Sequence, residues 1–370
     1  MRTLASSLLA AGSFLALGAQ AYSAPDVVVT IKPIHSLTAG VMKGVGEPKL
    51  LVEGAGSPHG YSLKPSQAAS LQDAELIVWV GPELETFMIK PLETLGHGAH
   101  KLPLSKAPGL ELLPFREGGP FEKHNHDHEE HEGHDHDTHD HEAHAEHDHN
   151  HDEHAHEEEH AHAEHGHEDH AHDDHAHDDH AHEEHGHDEH HEHDDHAHGE
   201  FDAHMWLDPL NAKAFVATLS EELSEIDPEN AATYADNAEK LMARLDNLTA
   251  EITGEMKAVQ GKPFIVFHDA YQYFENRFDV PAAGSVTVSP ERAPGAERVA
   301  EIQHRIEDLN ATCVFSEPQF EPKIVQVLVE GTDAKSGELD PLGATMTPGE
   351  DQYFELIRGL AASLKECLKG

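Results

Sequence analysis

Ala231, Tyr234, Ala238, Leu241, Leu245, Leu248, Ile252, Met256 and Val259 recur at intervals of three and four residues, so one face of a single helix carries them all. The stripe opens at Asp227-Pro228-Glu229, an Asp cap with Pro at the first helical position, and closes at Gly261. About 32 residues at helical rise span roughly 48 Å. That is longer than one small domain, and the pattern predicts a rigid strut between two lobes. A coiled-coil dimerisation helix is the alternative that periodicity alone permits.

On both sides of the strut, short β-rich runs alternate with helical ones. Before it, strands are expected at 26–31, 49–52, 75–80 and, weakly, 101–104, with helices at 34–45, 64–73, 83–95 and 209–226. After it, strands are expected at 263–267, 284–288, 312–316 and around Leu339, with helices at 271–278, 297–309, 322–330 and 352–368. Such alternation predicts an α/β fold with parallel sheets covered by helices. The division that follows is an N-terminal lobe over 22–227, a linking helix over 228–260 and a C-terminal lobe over 261–370.

The first lobe is interrupted. Residues 122–200 hold 31 of the 38 histidines, 31 acidic residues and one Lys, about -30 of the formal net charge of -47. Repeats such as His170-Ala-His-Asp-Asp and His175-Ala-His-Asp-Asp contain almost no apolar residue, so this insertion is expected to be disordered without metal. Imidazoles in this density suit zinc, copper or nickel. Accessory ligands are expected among His124, His126, His128, His170, His172, His175, His177, His180, His182, His196 and His198. The acidic balance argues against a nucleic-acid partner and for a cation.

Met1-Arg-Thr-Leu-Ala, a short apolar stretch and Ala19-Gln20-Ala21 read as a secretory signal peptide over 1–21. No later stretch reaches the roughly 18 apolar residues of a membrane span. A soluble exported protein of the bacterial periplasm is expected. In an oxidising compartment the two cysteines, Cys313 and Cys367, read as one disulfide; two buried thiols are the alternative.

Seven histidines remain outside the insertion: His35, His59, His97, His100, His204, His268 and His304. His59 lies in the Gly-rich loop after the second strand, His268 directly follows the run Phe264-Ile-Val-Phe, and His204 stands where ordinary sequence resumes. Ligands of α/β sheets bind beyond the carboxyl ends of strands. Loops from two lobes can therefore bring three imidazoles to one ion, and zinc suits three nitrogens with one further ligand. His35, after the first strand, and Glu317, at another strand end, are candidates for supporting roles. Asp202 and Asp269 flank two of the histidines. Trp79 and Trp206 read as core.

Several stretches carry a resemblance: Ser57-Pro-His-Gly-Tyr-Ser-Leu-Lys-Pro-Ser, Asp73-Ala-Glu-Leu-Ile-Val-Trp-Val-Gly-Pro, Asp202-Ala-His-Met-Trp-Leu-Asp-Pro, Val266-Phe-His-Asp-Ala-Tyr-Gln-Tyr-Phe, Phe315-Ser-Glu-Pro-Gln-Phe and Leu339-Asp-Pro-Leu-Gly. In order and over both lobes, they resemble the periplasmic zinc-binding proteins of ABC importers, the ZnuA-type branch of the metal-binding solute-binding family. The resemblance implies two (β/α) lobes joined by a long backbone helix, with the metal in the cleft between them. It implies His59, His204 and His268 as ligands, Asp340 as the carboxylate that completes the site, and a disulfide between Cys313 and Cys367. Where some zinc members place a Glu before the first ligand, this chain has Pro58.

The implied function is capture of Zn(II) in the periplasm and delivery to a membrane permease by a monomer that is not an enzyme, with the insertion as a metal collector. Two readings compete. A zinc hydrolase would also use three histidines and an open position, but the chain lacks a His-Glu-x-x-His helix. A metal store would make the insertion the main site.

Overall fold

The computed structural model describes residues 24–116, 121, 201–287, 290–291, 294–320 and 323–369. The expected signal peptide and the accessory histidines of the insertion lie outside the described residues.

The chain forms two parallel α/β lobes. The first contains β1 (Val27–Val29), α1 (Lys32–Val41), β2 (Lys49–Leu50), α2 (Pro65–Asp73), β3 (Leu76–Trp79), α3 (Ile89–Thr94) and β4 (His100–Pro103). After the insertion come α4 (Pro209–Ile226) and the long α5 (Ala231–Met256). The second lobe contains β5 (Phe264–His268), α6 (Gln272–Phe278), β6 (Gly284–Thr287), α7 (Ala296–Asp308), β7 (Cys313–Ser316), α8 (Lys323–Val329), β8 (Lys335–Glu338) and α9 (Gln352–Lys369). The sheet orders are β2-β1-β3-β4 and β6-β5-β7-β8, with every pair parallel. In each lobe the first strand is central: the chain goes out to one neighbour and returns on the other side. The gaps between β1 and β3 and between β5 and β7 are therefore the points where strand order reverses, where open sheets bind ligands.

Period-two alternation explains how these sheets are buried on both faces. Val27, Val29, Leu76 and Val78 face one large core, while Val28, Ile77 and Trp79 face a smaller cluster with Leu71 and Leu92. Phe264, Val266, Cys313 and Phe315 face the same large core, while Ile265, Phe267 and Val314 pack with Ile302, Ile306 and Leu328. The large core continues through Tyr234, Leu241, Leu245, Leu248, Ile252 and Met256 of α5 and through Leu356, Ile357 and Leu364 of α9. One apolar core thus joins both lobes along the helix. Moving one lobe against the other would disturb close-packed side chains, which favours small rearrangements over a wide hinge.

Some boundaries differ from expectation. Asp227 closes α4 instead of capping the next helix; its Oδ2 accepts from Asn230 Nδ2 and Tyr234 Oη, and α5 begins at Ala231. The helix expected at 83–95 shortens to Ile89–Thr94 after a 3-10 turn, because Glu85 folds inward to accept from the Val80 and Gly81 amides. Leu339 lies just beyond β8, a polar edge strand for which the sequence carries no signal. Cys313 of β7 and Cys367 of α9 form a disulfide across 54 positions. Among the described residues, no helix is long and apolar enough to cross a membrane.

Candidate metal centre

Three histidines converge from three separate loops and strand ends. His59 is in the middle of a 3-10 turn, Pro58–Gly60, after β2, with Ser57 capping the turn through its Oγ. His204 caps a second 3-10 turn, Met205–Leu207, that leads into α4. His268 is the last residue of β5. Their ligating atoms all lie within 4.8 Å of one another. His204 Nε2 is 3.3 Å from His59 Nε2 and 3.2 Å from His268 Nε2.

The other ring nitrogens decide what those short distances mean. Asp202 Oδ1 lies 2.7 Å from His204 Nδ1 and also accepts from the His204 amide. Glu317 Oε1 lies 2.6 Å from His268 Nδ1, reaching over from the end of β7 at the β5–β7 junction. A carboxylate at Nδ1 fixes the proton there and leaves Nε2 with its lone pair. With both rings neutral, the Nε2 atoms of His204 and His268 present lone pairs to each other across 3.2 Å. That is the arrangement that a cation between them stabilises. Nitrogens bound at 2.0–2.1 Å to a tetrahedral zinc stand about 3.3–3.4 Å apart, and the two separations, 3.3 and 3.2 Å, lie close to that.

Electrostatics treats the rings differently. Burial holds the His59 imidazole well below its ordinary pKa, helped by the charges of His204 and His268. Burial also pulls His268 down, but the charge of Glu317 and its hydrogen bond outweigh it, and His268 ends above the ordinary value. Two carboxylates behind the imidazoles supply two negative charges, enough to offset one divalent ion in a largely buried site.

Around the three rings stand Ser57, Pro58, Trp206, Gln319, Phe320, Pro341 and Leu342. The space they leave is ≈ 10 Å³, the room of a single water-sized sphere. Trp206 does more than fill core: fully buried, it borders this space and its Nε1 donates to Pro341 O at 2.8 Å.

Asp340 is not among the gathered ligands. Its Oδ1 accepts from Gln319 Nε2 at 2.9 Å and from the Leu342 and Gly343 amides, and its Oδ2 accepts from the Ala344 amide. The carboxylate thus organises the 340–346 loop. The same loop is held from the first lobe by Lys32, whose Nζ donates to Gly343 O, Ala344 O and Met346 O at 2.9, 2.6 and 3.2 Å. Through Pro341 and Leu342 this loop walls the site.

His35 is also not brought into the set. It is buried in α1 with its Nε2 3.0 Å from Pro48 O. The two flanking aspartates divide: Asp202 backs a histidine, whereas Asp269 pairs with the guanidinium of Arg116, which also binds Glu275. Sequence reasoning passed over Arg116 and Lys32, which are isolated polar residues without a motif, and gave no role to Gln319, although it lies in the stretch Phe315-Ser-Glu-Pro-Gln-Phe. Trp206 lies two positions from His204 and carried a signal of proximity.

Comparison with known proteins adds an independent line. The family model described as zinc-uptake complex component A, periplasmic, matches residues 27–367. A high-affinity zinc uptake system protein ZnuA of Brucella abortus is 54% identical over 342 residues, 92% of this chain and 91% of that one. One of the same description from Paracoccus denitrificans is 38% identical, covering 98% of this chain and 97% of that one. A crystal structure of ZnuA superposes with a TM-score of 0.65 at 20% identity, covering 93% of this chain and 99% of that one.

Proposed function

Because the chain belongs to the family of periplasmic zinc-uptake components, we propose that His59, His204 and His268 hold the zinc ion that it carries. The protein is the periplasmic zinc-binding component of an ABC importer, and zinc is its cargo. It is a binding protein and not an enzyme, as its relatives are zinc-uptake proteins. The observation that supports the three-histidine assignment is the spacing of the Nε2 atoms, 3.3 and 3.2 Å, with Asp202 and Glu317 fixing the protons of two rings on the far side.

Affinity on this reading comes from preorganisation. Rings held in place by carboxylates lose little freedom on binding, and the shared core keeps the lobes in register. Selectivity comes from donor type: nitrogen favours zinc over magnesium, calcium and manganese, which take oxygen ligands. The fourth position falls to a solvent oxygen, since Asp340 spends its carboxylate on backbone amides and Gln319. The exported chain acts as a soluble monomer and surrenders its ion to the permease through local loop movement.

The test is competition titration with a zinc chelator on His59→Ala, His204→Ala and His268→Ala. Each variant is expected to lose at least about 100-fold in affinity, given that a lost partner of a ligand alone costs about 10–100-fold. Retention of wild-type affinity in His204→Ala would sink the assignment.

A further inference from the structure

The three imidazoles are not held alike. His204 and His268 are 6% and 3% exposed, and each has a carboxylate within 2.7 Å of its Nδ1. His59 is only partly buried, and no hydrogen bond from a described residue reaches its Nδ1. What fixes His59 is its turn: Ser57 Oγ accepts from the His59 amide at 3.3 Å. That same hydroxyl donates to Glu291 Oε1 at 2.7 Å. Glu291 follows β6 in the other lobe, so the bond joins the two lobes beside the site, which Ser57 borders. Its chain also lies against the turn at Gly60, where an added Cβ would stand 3.2 Å from Glu291 Cγ.

We infer that Glu291 is a positioning residue for His59: through Ser57 it anchors, from the opposite lobe, the one ligand that lacks a carboxylate of its own. The inference rests on the three-histidine reading above. A ligand whose ring has no carboxylate behind it, held only through its backbone turn and the hydroxyl that caps the turn, is the first to let go. The Ser57–Glu291 bond therefore sets the rate at which zinc leaves, and the residues that break it define the exit side of the site. Asp202 and Glu317 serve affinity by orienting rings, whereas Glu291 serves residence time by holding a turn.

The experiment is stopped-flow release of zinc into excess chelator from the full chain, with Glu291→Ala, Ser57→Ala, the double variant and Glu291→Gln. Glu291→Ala and Ser57→Ala are each expected to release zinc about 3- to 10-fold faster, the range one hydrogen bond supplies. The double variant is expected to be no faster than either single one, because both remove the same link. Glu291→Gln is expected to release near the wild-type rate, since an amide oxygen still accepts from Ser57 Oγ. An unchanged rate in Glu291→Ala, additive effects in the double variant, or Glu291→Gln as fast as Glu291→Ala would each overturn the anchor, the last by showing a field effect of charge. Absence of tight zinc binding by the wild type would instead overturn the site assignment itself.

Discussion

Glu317 Oε1 lies 2.6 Å from Nδ1 of His268, joining the ends of the adjacent strands β5 and β7 where strand order in the second lobe reverses. The contact fixes the tautomer, aims the lone pair of Nε2 at the other imidazoles and places a negative charge behind the ion. Glu317→Ala is expected to weaken zinc binding about 10- to 100-fold. Glu317→Gln can still accept through its amide oxygen and is expected to lose less. Equal affinity of both variants with wild type, measured by chelator competition, would show that the contact does not tune the metal.

The same pair fixes the pH dependence of binding. Zinc needs neutral imidazoles, so protons compete. Burial and its neighbours lower His59, so protons compete there only in more acidic solution. Glu317 outweighs burial at His268 and raises it, so competition begins there, above the ordinary imidazole value of about 6.5. Affinity is expected to be flat in mild alkali and to fall as pH drops through neutrality. In Glu317→Gln the onset should move to lower pH. Chelator competition from pH 5 to 8 measures both; an onset unmoved by the substitution would contradict the assignment.

Stability should carry a separate pH signature from Glu85. Its carboxylate is fully buried beside Thr30 and the Val80 and Gly81 amides, and burial pushes its pKa up to about 7. Between the unfolded value near 4.5 and 7, the folded state binds more protons than the unfolded state, so stability falls as pH rises through that window. The loss amounts to about 3 kcal/mol at most. Glu85→Gln keeps a neutral side chain that accepts from the two amides and donates to Thr30. Denaturant unfolding is expected to find it more stable than wild type at pH 8 and similar at pH 5. Parallel pH profiles would refute this.

Lys32 is expected to matter for folding through the three hydrogen bonds that its ammonium donates. Lys32 is 5% exposed, and its ammonium meets three carbonyls, one for each N–H. Lys32→Met leaves those carbonyls buried without a donor, at a cost of about 2–4 kcal/mol. Lys32→Arg should not restore stability, because a planar fork does not match a three-carbonyl cradle. A thermal midpoint within one or two degrees of wild type for Lys32→Met would contradict the cradle's role.

How far these features could be read from sequence follows from how local their causes are. Buried strands such as Val27–Val29 and Phe264–His268 announce themselves by unbroken apolar runs, and α5 by its stripe. His59 and His268 stood out because they follow strands, where α/β sheets bind ligands. Asp340 did not reveal its work, since four partners taking its carboxylate depend on a loop whose path needs Gly343 at φ +71°. Asp202 and Asp269 look alike in sequence, each within two residues of a histidine; only the approach of Arg116, 153 positions away from Asp269, separates them. Lys335–Glu338 is polar and exposed, so nothing marked it as a strand until it paired with β7. The link between Ser57 and Glu291 spans 234 positions and has no periodicity to betray it.

The most direct test of the whole account is zinc titration of a chain lacking residues 124–198, with a competing chelator to count tight equivalents. One tight equivalent should survive at wild-type affinity, carried by His59, His204 and His268, while weaker equivalents disappear with the deleted histidines. Loss of all tight binding in that chain would place the site in the insertion and contradict the account.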